Sequence, residues 1–118
     1  MKLVNESRKI LDAAGLQVEP TCVRVPVAVG HGVAATLRFE RSADAESAIE
    51  VLNGSPGIEV WTDKVPTAVD SAGLDDVLAG RIRSTVGEPG GLNLWVVGDN
   101  LRKGAALNAI QIAEILTT

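Results

Sequence analysis

Apolar and polar positions along the chain fall into blocks of two periods, and the blocks predict a short series of elements. Asn5 to Ala14 reads as an amphipathic helix: Asn5 is its N-cap, Glu6 sits in the first turn, Ile10, Leu11 and Ala14 form the apolar stripe, and Gly15 is the stop. From Leu16 to Val29 the pattern turns β-branched and alternating, and Cys22 to Val27 predicts a strand with Pro26 near its end. Gly30-His31-Gly32 interrupts it, and Val33 to Arg41 alternates again as a half-buried strand. A helix start follows at Ser42 to Glu46, with Ala48, Ile49 and Leu52 as its buried face and Asn53 to Gly57 as its end. Ile58 to Trp61 predicts a short strand, and residues 62–74 read as irregular, with Pro66 and Gly73 as punctuation. Val77 to Val86 and Leu92 to Val97 predict two further strands, parted by a glycine-rich turn at 87–91. The last helix is expected from Asn100 or Leu101 to Leu116, with Leu107, Ile110, Ile112 and Ile115 apolar.

About five strands and three helices, with strands following one another in sequence, predict an α+β fold. Its form is a mixed, largely antiparallel sheet with the helices packed on one face. The other face is then free for water, a second subunit or a missing segment. At 118 residues the chain is expected to be one domain, 1–118, able to bury roughly two-thirds of its extended surface.

Composition narrows the function classes. Hydrophobic residues make up 46% and aromatics 3%, so aliphatic and alanine packing must build the core. Eleven basic against fifteen acidic residues give a net charge of -4, which removes the basic footprint of a nucleic-acid partner. One Cys and one His, Cys22 and His31, provide neither a disulfide framework nor a metal cluster. No run of eighteen apolar residues predicts a membrane span, and the first residues do not have the form of a signal peptide. A soluble cytoplasmic protein is expected. No Gly-x-Gly-x-x-Gly or Walker-type loop is present among the twelve glycines.

Two residues draw attention on chemical grounds. Arg24 lies within an apolar run, and seven residues later His31 stands between Gly30 and Gly32. A guanidinium suits two-point recognition of a carboxylate or phosphate, an imidazole exchanges protons near neutral pH, and flanking glycines allow close approach of a ligand. The plainer reading has Arg24 ending at a sheet edge and His31 capping a turn. Cys22 reads as a small buried residue. Glu6 and Lys9 form an i, i+3 pair of the kind found on solvated helix faces. Arg81 and Arg83 share one strand face, to bind an anion or to guard an edge.

Four stretches together resemble the aspartate-semialdehyde dehydrogenase family, in the order of its C-terminal third. They are Asn-Glu-Ser-Arg-Lys-Ile at 5–10, Thr-Cys-Val-Arg-Val-Pro-Val at 21–27 with His31, Gly-Arg-Ile-Arg at 80–83, and the long stretch from Gly91 to Glu114. The resemblance implies NADPH-dependent reductive dephosphorylation of β-aspartyl phosphate through a cysteine thioester. It implies that Arg24 binds the substrate carboxylate and that His31 is the acid/base catalyst. Glu6 and Lys9 would contact the substrate amine and phosphate, and Asn100 the nicotinamide end of the cofactor. It further implies a homodimer through the exposed sheet face. The NADP loop, nucleophilic cysteine, orienting glutamine and a phosphate-binding arginine of that family fall in segments not in this sequence. The chain is therefore expected to hold half an active site, to be inactive alone, and to bind no cofactor tightly. Two other classes stand beside this reading: an autonomous dimerisation module and a small-ligand regulatory module.

Overall fold

The computed structural model describes residues 1–117. The elements run α1 (Lys2–Ile10), β1 (His31–Leu37), α2 (Ala45–Asn53), β2 (Ile58–Trp61), α3 (Ala68–Ser71), β3 (Val77–Ser84), β4 (Leu92–Gly98), a π-helical turn (Arg102–Ala106) and α4 (Leu107–Thr117). Four strands form one sheet in the order β1-β4-β3-β2. β4 pairs antiparallel with both neighbours, while β2 pairs parallel with β3. The mixed, largely antiparallel α+β architecture is the one the alternation predicts.

The core sits on the two central strands. Leu78 and Val97 are 0% and 1% exposed and stand opposite each other in the β3–β4 ladder, and Ala79 and Leu92 are also buried in these strands. Alternate residues share a face, so Leu78 and Gly80 face the same way as Val97 and Trp95. That face is crossed by the connection from β2 to β3. The Trp95 indole Nε1 donates to the Pro66 carbonyl at 2.7 Å, and Pro66 itself is fully buried. α3 is closed by a reciprocal cap between Thr67 and Asp70. α2 packs on β2 and β3, begins at an Asp44 N-cap whose carboxylate accepts the Ser47 amide at 2.8 Å, and brings Ile49 close to Val60 and Ile82.

Several elements differ from the sequence expectation, each for a local reason. α1 begins at Lys2, and the Asn5 amide donates to the Met1 carbonyl at 3.1 Å, so Asn5 lies inside the first turn instead of capping it. The helix ends where Asp12 takes φ 48 and Arg8 Nε donates back to the Leu16 carbonyl at 2.8 Å. The strand expected within 16–29 does not form: its side chains alternate, but its backbone joins no ladder. Pro26 lacks an amide, and Val27 N donates to Val25 O at 2.9 Å, a tight three-residue turn in the middle of the run. Residues 62–74 hold α3, and β3 is broken by a bulge between Gly80 and Arg83, with Arg81 at φ 55.

Gly80 is a position the sheet cannot yield to a larger residue. A Cβ there meets Pro66 Cδ at 2.6 Å and the Trp61 carbonyl at 3.3 Å. Gly80→Ala is expected to lower stability by about 1–3 kcal/mol in chemical denaturation, the range for overpacking a filled site. An unchanged midpoint would show that the 62–67 connection is free to lift from the sheet.

Candidate active site

His31 is the first residue of β1 and is exposed, with its backbone opposite Gly98 at the end of β4. The turn before it is fixed from two sides. Gly30 is buried with φ +104, and a Cβ there would lie 2.6 Å from the Ala68 carbonyl of α3, so the turn accepts no side chain. Gly30 N–H donates to Asn100 Oδ1 at 2.8 Å, joining residues 70 apart in sequence. His31 and Asn100, both singled out in the sequence, are thus brought to one end of the sheet.

Asp99, which the sequence reading passed over, organises that end. It is 4% exposed, and its Oδ1 accepts the Leu101 and Arg102 amides at 2.8 and 3.1 Å. Its Oδ2 accepts the Gly73 amide at 2.8 Å. The first two bonds cap the π-helical turn that leads into α4, and the third ties the β2–β3 connection to the same point. The Gly73 amide, followed by those of Leu101 and Arg102 and the nearby Arg102 charge, holds the Asp99 carboxyl below its ordinary range, while desolvation opposes the shift. An Asp directly before a predicted helix was a readable cap signal in the sequence.

The other expected residues are placed more loosely. Arg24 lies in the irregular, exposed run 21–28 and not in a strand. Cys22, expected to be buried, is exposed in the same run, because no strand forms there to cover it. Glu6 and Lys9 lie on α1, and Glu6 pairs with Lys2 at 3.7 Å and not with Lys9. Among the described residues no hydrogen bond or ion pair joins Arg24, Glu6 or Lys9 to His31, and the side chains of Arg24 and Lys9 are committed to no other partner. Arg81 and Arg83 line a recess of about 400 Å³ with Thr36, Val65, Asn93 and Trp95. Arg83 stands opposite Asn93 and His31 opposite Gly98, so this recess lies towards the other end of β4. No group of three or more metal-ligating side chains converges among the described residues, and none of their helices is long and apolar enough to cross a membrane.

Comparisons with known proteins agree with this fold. A family model described as semialdehyde dehydrogenase, dimerisation domain, matches residues 1–103. The aspartate-semialdehyde dehydrogenase of Streptomyces akiyoshiensis is 52% identical over 115 residues, covering 98% of this chain and 33% of that protein. Among solved structures, aspartate semialdehyde dehydrogenase II from Vibrio cholerae, complexed with ASA, superposes with a TM-score of 0.95 at 47% identity. That match covers 99% of this chain and 35% of the other. The enzyme from Francisella tularensis keeps a TM-score of 0.82 at 26% identity, over 96% of this chain and 33% of its own. The chain spans about a third of the length of the curated relatives it matches.

The Asp99 contacts make stability depend on pH in a definite direction. Because the folded carboxyl titrates below the unfolded one, their stabilisation is complete above the unfolded pKa, near 4, and fades as pH falls through the lower folded value. Asp99→Asn is expected to be less stable than the parent at pH 7, with the gap closing as acid protonates the parent's carboxylate. Urea denaturation across pH 2.5–7 reads this, and a gap independent of pH would remove the charge from the argument.

Proposed function

As the chain belongs to the semialdehyde dehydrogenase family through its dimerisation domain, we propose that it is the substrate-binding and dimerisation domain of an NADPH-dependent aspartate-semialdehyde dehydrogenase. The reaction is the reductive dephosphorylation of β-aspartyl phosphate in amino-acid biosynthesis, a cytoplasmic step. Residues 1–118 act as one domain, and the cofactor loop and nucleophilic cysteine belong to the rest of the enzyme. The observation that supports the reading most is the Gly30–Asn100 hydrogen bond, which sets a lone histidine on a rigid turn beside an amide side chain.

The roles follow from the chemistry of each group. Arg24 offers a planar fork of N–H donors to the substrate carboxylate, which fixes the molecule at its non-reacting end. Lys9 meets the phosphate as a point charge, and Glu6 accepts from the substrate amine. His31 takes the proton of the attacking thiol and returns a proton to the oxygen that leaves. Bound NADPH supplies the hydride. Asn100 suits the carboxamide of that cofactor, because its carbonyl is already occupied by Gly30 and its NH2 group remains to donate.

The homodimer is proposed to form through the exposed sheet face. The apolar residues of α1 and α4 that stay in solvent here, among them Ile10, Leu11, Ile115 and Leu116, are proposed to pack against the remainder of the enzyme.

Three outcomes test the reading. The isolated chain should show no formation of NADPH from aspartate semialdehyde, NADP and phosphate, since it carries neither the thiol nor the cofactor loop; turnover by the pure chain would refute the assignment. In the complete enzyme, His31→Asn should lose roughly 10²–10⁴-fold in kcat with little change in melting temperature. Arg24→Lys, which keeps the charge but not the two parallel hydrogen bonds, should act chiefly on substrate affinity, and unchanged KM and kcat would take Arg24 out of the site.

A further inference from the structure

We infer that Asn100 is a positioning residue for His31: its side-chain carbonyl, braced by the Asp99 cap, fixes the turn that carries the imidazole. This rests on the reading of His31 as the proton-transfer group.

A backbone N–H only donates, so the 2.8 Å contact with Gly30 commits the Asn100 carbonyl oxygen and orients the whole amide. The amide of Gly30 belongs to a buried residue, and without Asn100 it would be left unpaired or the turn would have to move. Movement is blocked on the other side, where Gly30 already packs against the first residue of α3. Asn100 has little freedom of its own. The preceding residue, Asp99, binds the two amides that follow Asn100 with one oxygen and the Gly73 amide with the other. The ladder holds His31 opposite Gly98, one residue before Asp99. The histidine and its brace therefore leave the sheet together, from adjacent strands. A proton-transfer group displaced by about 1 Å loses on the order of 10²-fold in rate, so a clamp on the residue before it bears directly on turnover.

The test uses the complete enzyme and two substitutions: Asn100→Ala removes the acceptor, and Asn100→Asp keeps it while losing the NH2 group. At saturating NADP, Asn100→Ala should lower kcat about 10- to 100-fold, whereas Asn100→Asp, which loses the NH2 group and with it affinity for NADP, should at its own pH optimum keep kcat within about fivefold of the parent. In a His31→Asn background, Asn100→Ala should lower kcat no further, because the group it positions is gone. The inference is overturned if Asn100→Ala leaves kcat unchanged. It is equally overturned if both substitutions lose turnover alike with a raised KM for NADP, the pattern of a cofactor contact alone, or if the loss is fully additive with that of His31→Asn. Should Asn100→Ala not fold, Asn100→Asp decides: near-parental kcat supports the clamp, and a loss beyond tenfold rejects it. A His31→Asn enzyme with parental turnover is a separate result, which removes the role of His31 whatever Asn100 does.

Discussion

The pairing of β3 with β4 around Leu78 and Val97 is the contact on which the rest of the structure depends. The buried hydrophobic residues of the core, Leu78, Ala79, Leu92 and Val97, all come from these two strands. With only three aromatic residues in 118, the chain has few large side chains with which to build a second core. Trp95 does not fill the centre; it reaches out from β4 to hold the Pro66 carbonyl and so fastens the long connection over the sheet. The functional end hangs from the same ladder. β1 is an edge strand whose ladder partner is β4, and residues 99–100 are simply where β4 runs out. Sliding β4 by one residue would exchange its faces and carry Asn100 away from Gly30.

The elements legible in the sequence are those whose local pattern and tertiary setting agree. β2 was readable to the residue, β4 to within one, and α2 from its start within Ser42 to Glu46 and its Ile49 and Leu52 face. The failures have a common cause: periodicity reports which side of a segment is apolar and says nothing about whether a partner exists. Residues 22–27 have the composition of a strand, and Pro26 with its tight turn keeps them out of the ladder. Arg81 and Arg83 line one recess, as their spacing suggests, although a bulge adds a residue between Gly80 and Arg83 and gives Arg81 a positive φ. Around the candidate site, residue chemistry singles out His31 and Arg24, and the structure joins only the His31 turn to Asn100. Asp99 is half legible: its place before a helix signals the bonds to the two amides just after it, but not the bond to a loop amide 26 residues earlier.

The helices at the two ends of the chain show how incompletely this length of sequence satisfies itself. α1 and α4 contain no buried residue, and Ile10 and Leu116 are each 80% exposed. Apolar surface left in water forgoes about 25 cal/mol for every Å², so helices of this composition gain little by folding where they stand. Exposed apolar sides of this kind are what the proposed packing of α1 and α4 against the remainder of the enzyme would cover.

The same exposure governs the charged half of the site. A guanidinium and a carboxylate in open water attract one another by at most about 1 kcal/mol, because solvent screens both charges and the long side chain must be ordered. Arg24 and Lys9 stand in that solvent. His31 differs, since its turn is already built from buried Gly30, Ala68 and Asn100 before any substrate arrives. The two halves of the chemistry thus stand at different stages of readiness. In the proposed roles, the sheet preorganises proton transfer, whereas anion recognition requires a covering surface that lowers the local dielectric and orients the run 21–28. Docking of the α1 and α4 faces is the event that would supply it, which couples assembly of the enzyme to the strength of its substrate contacts.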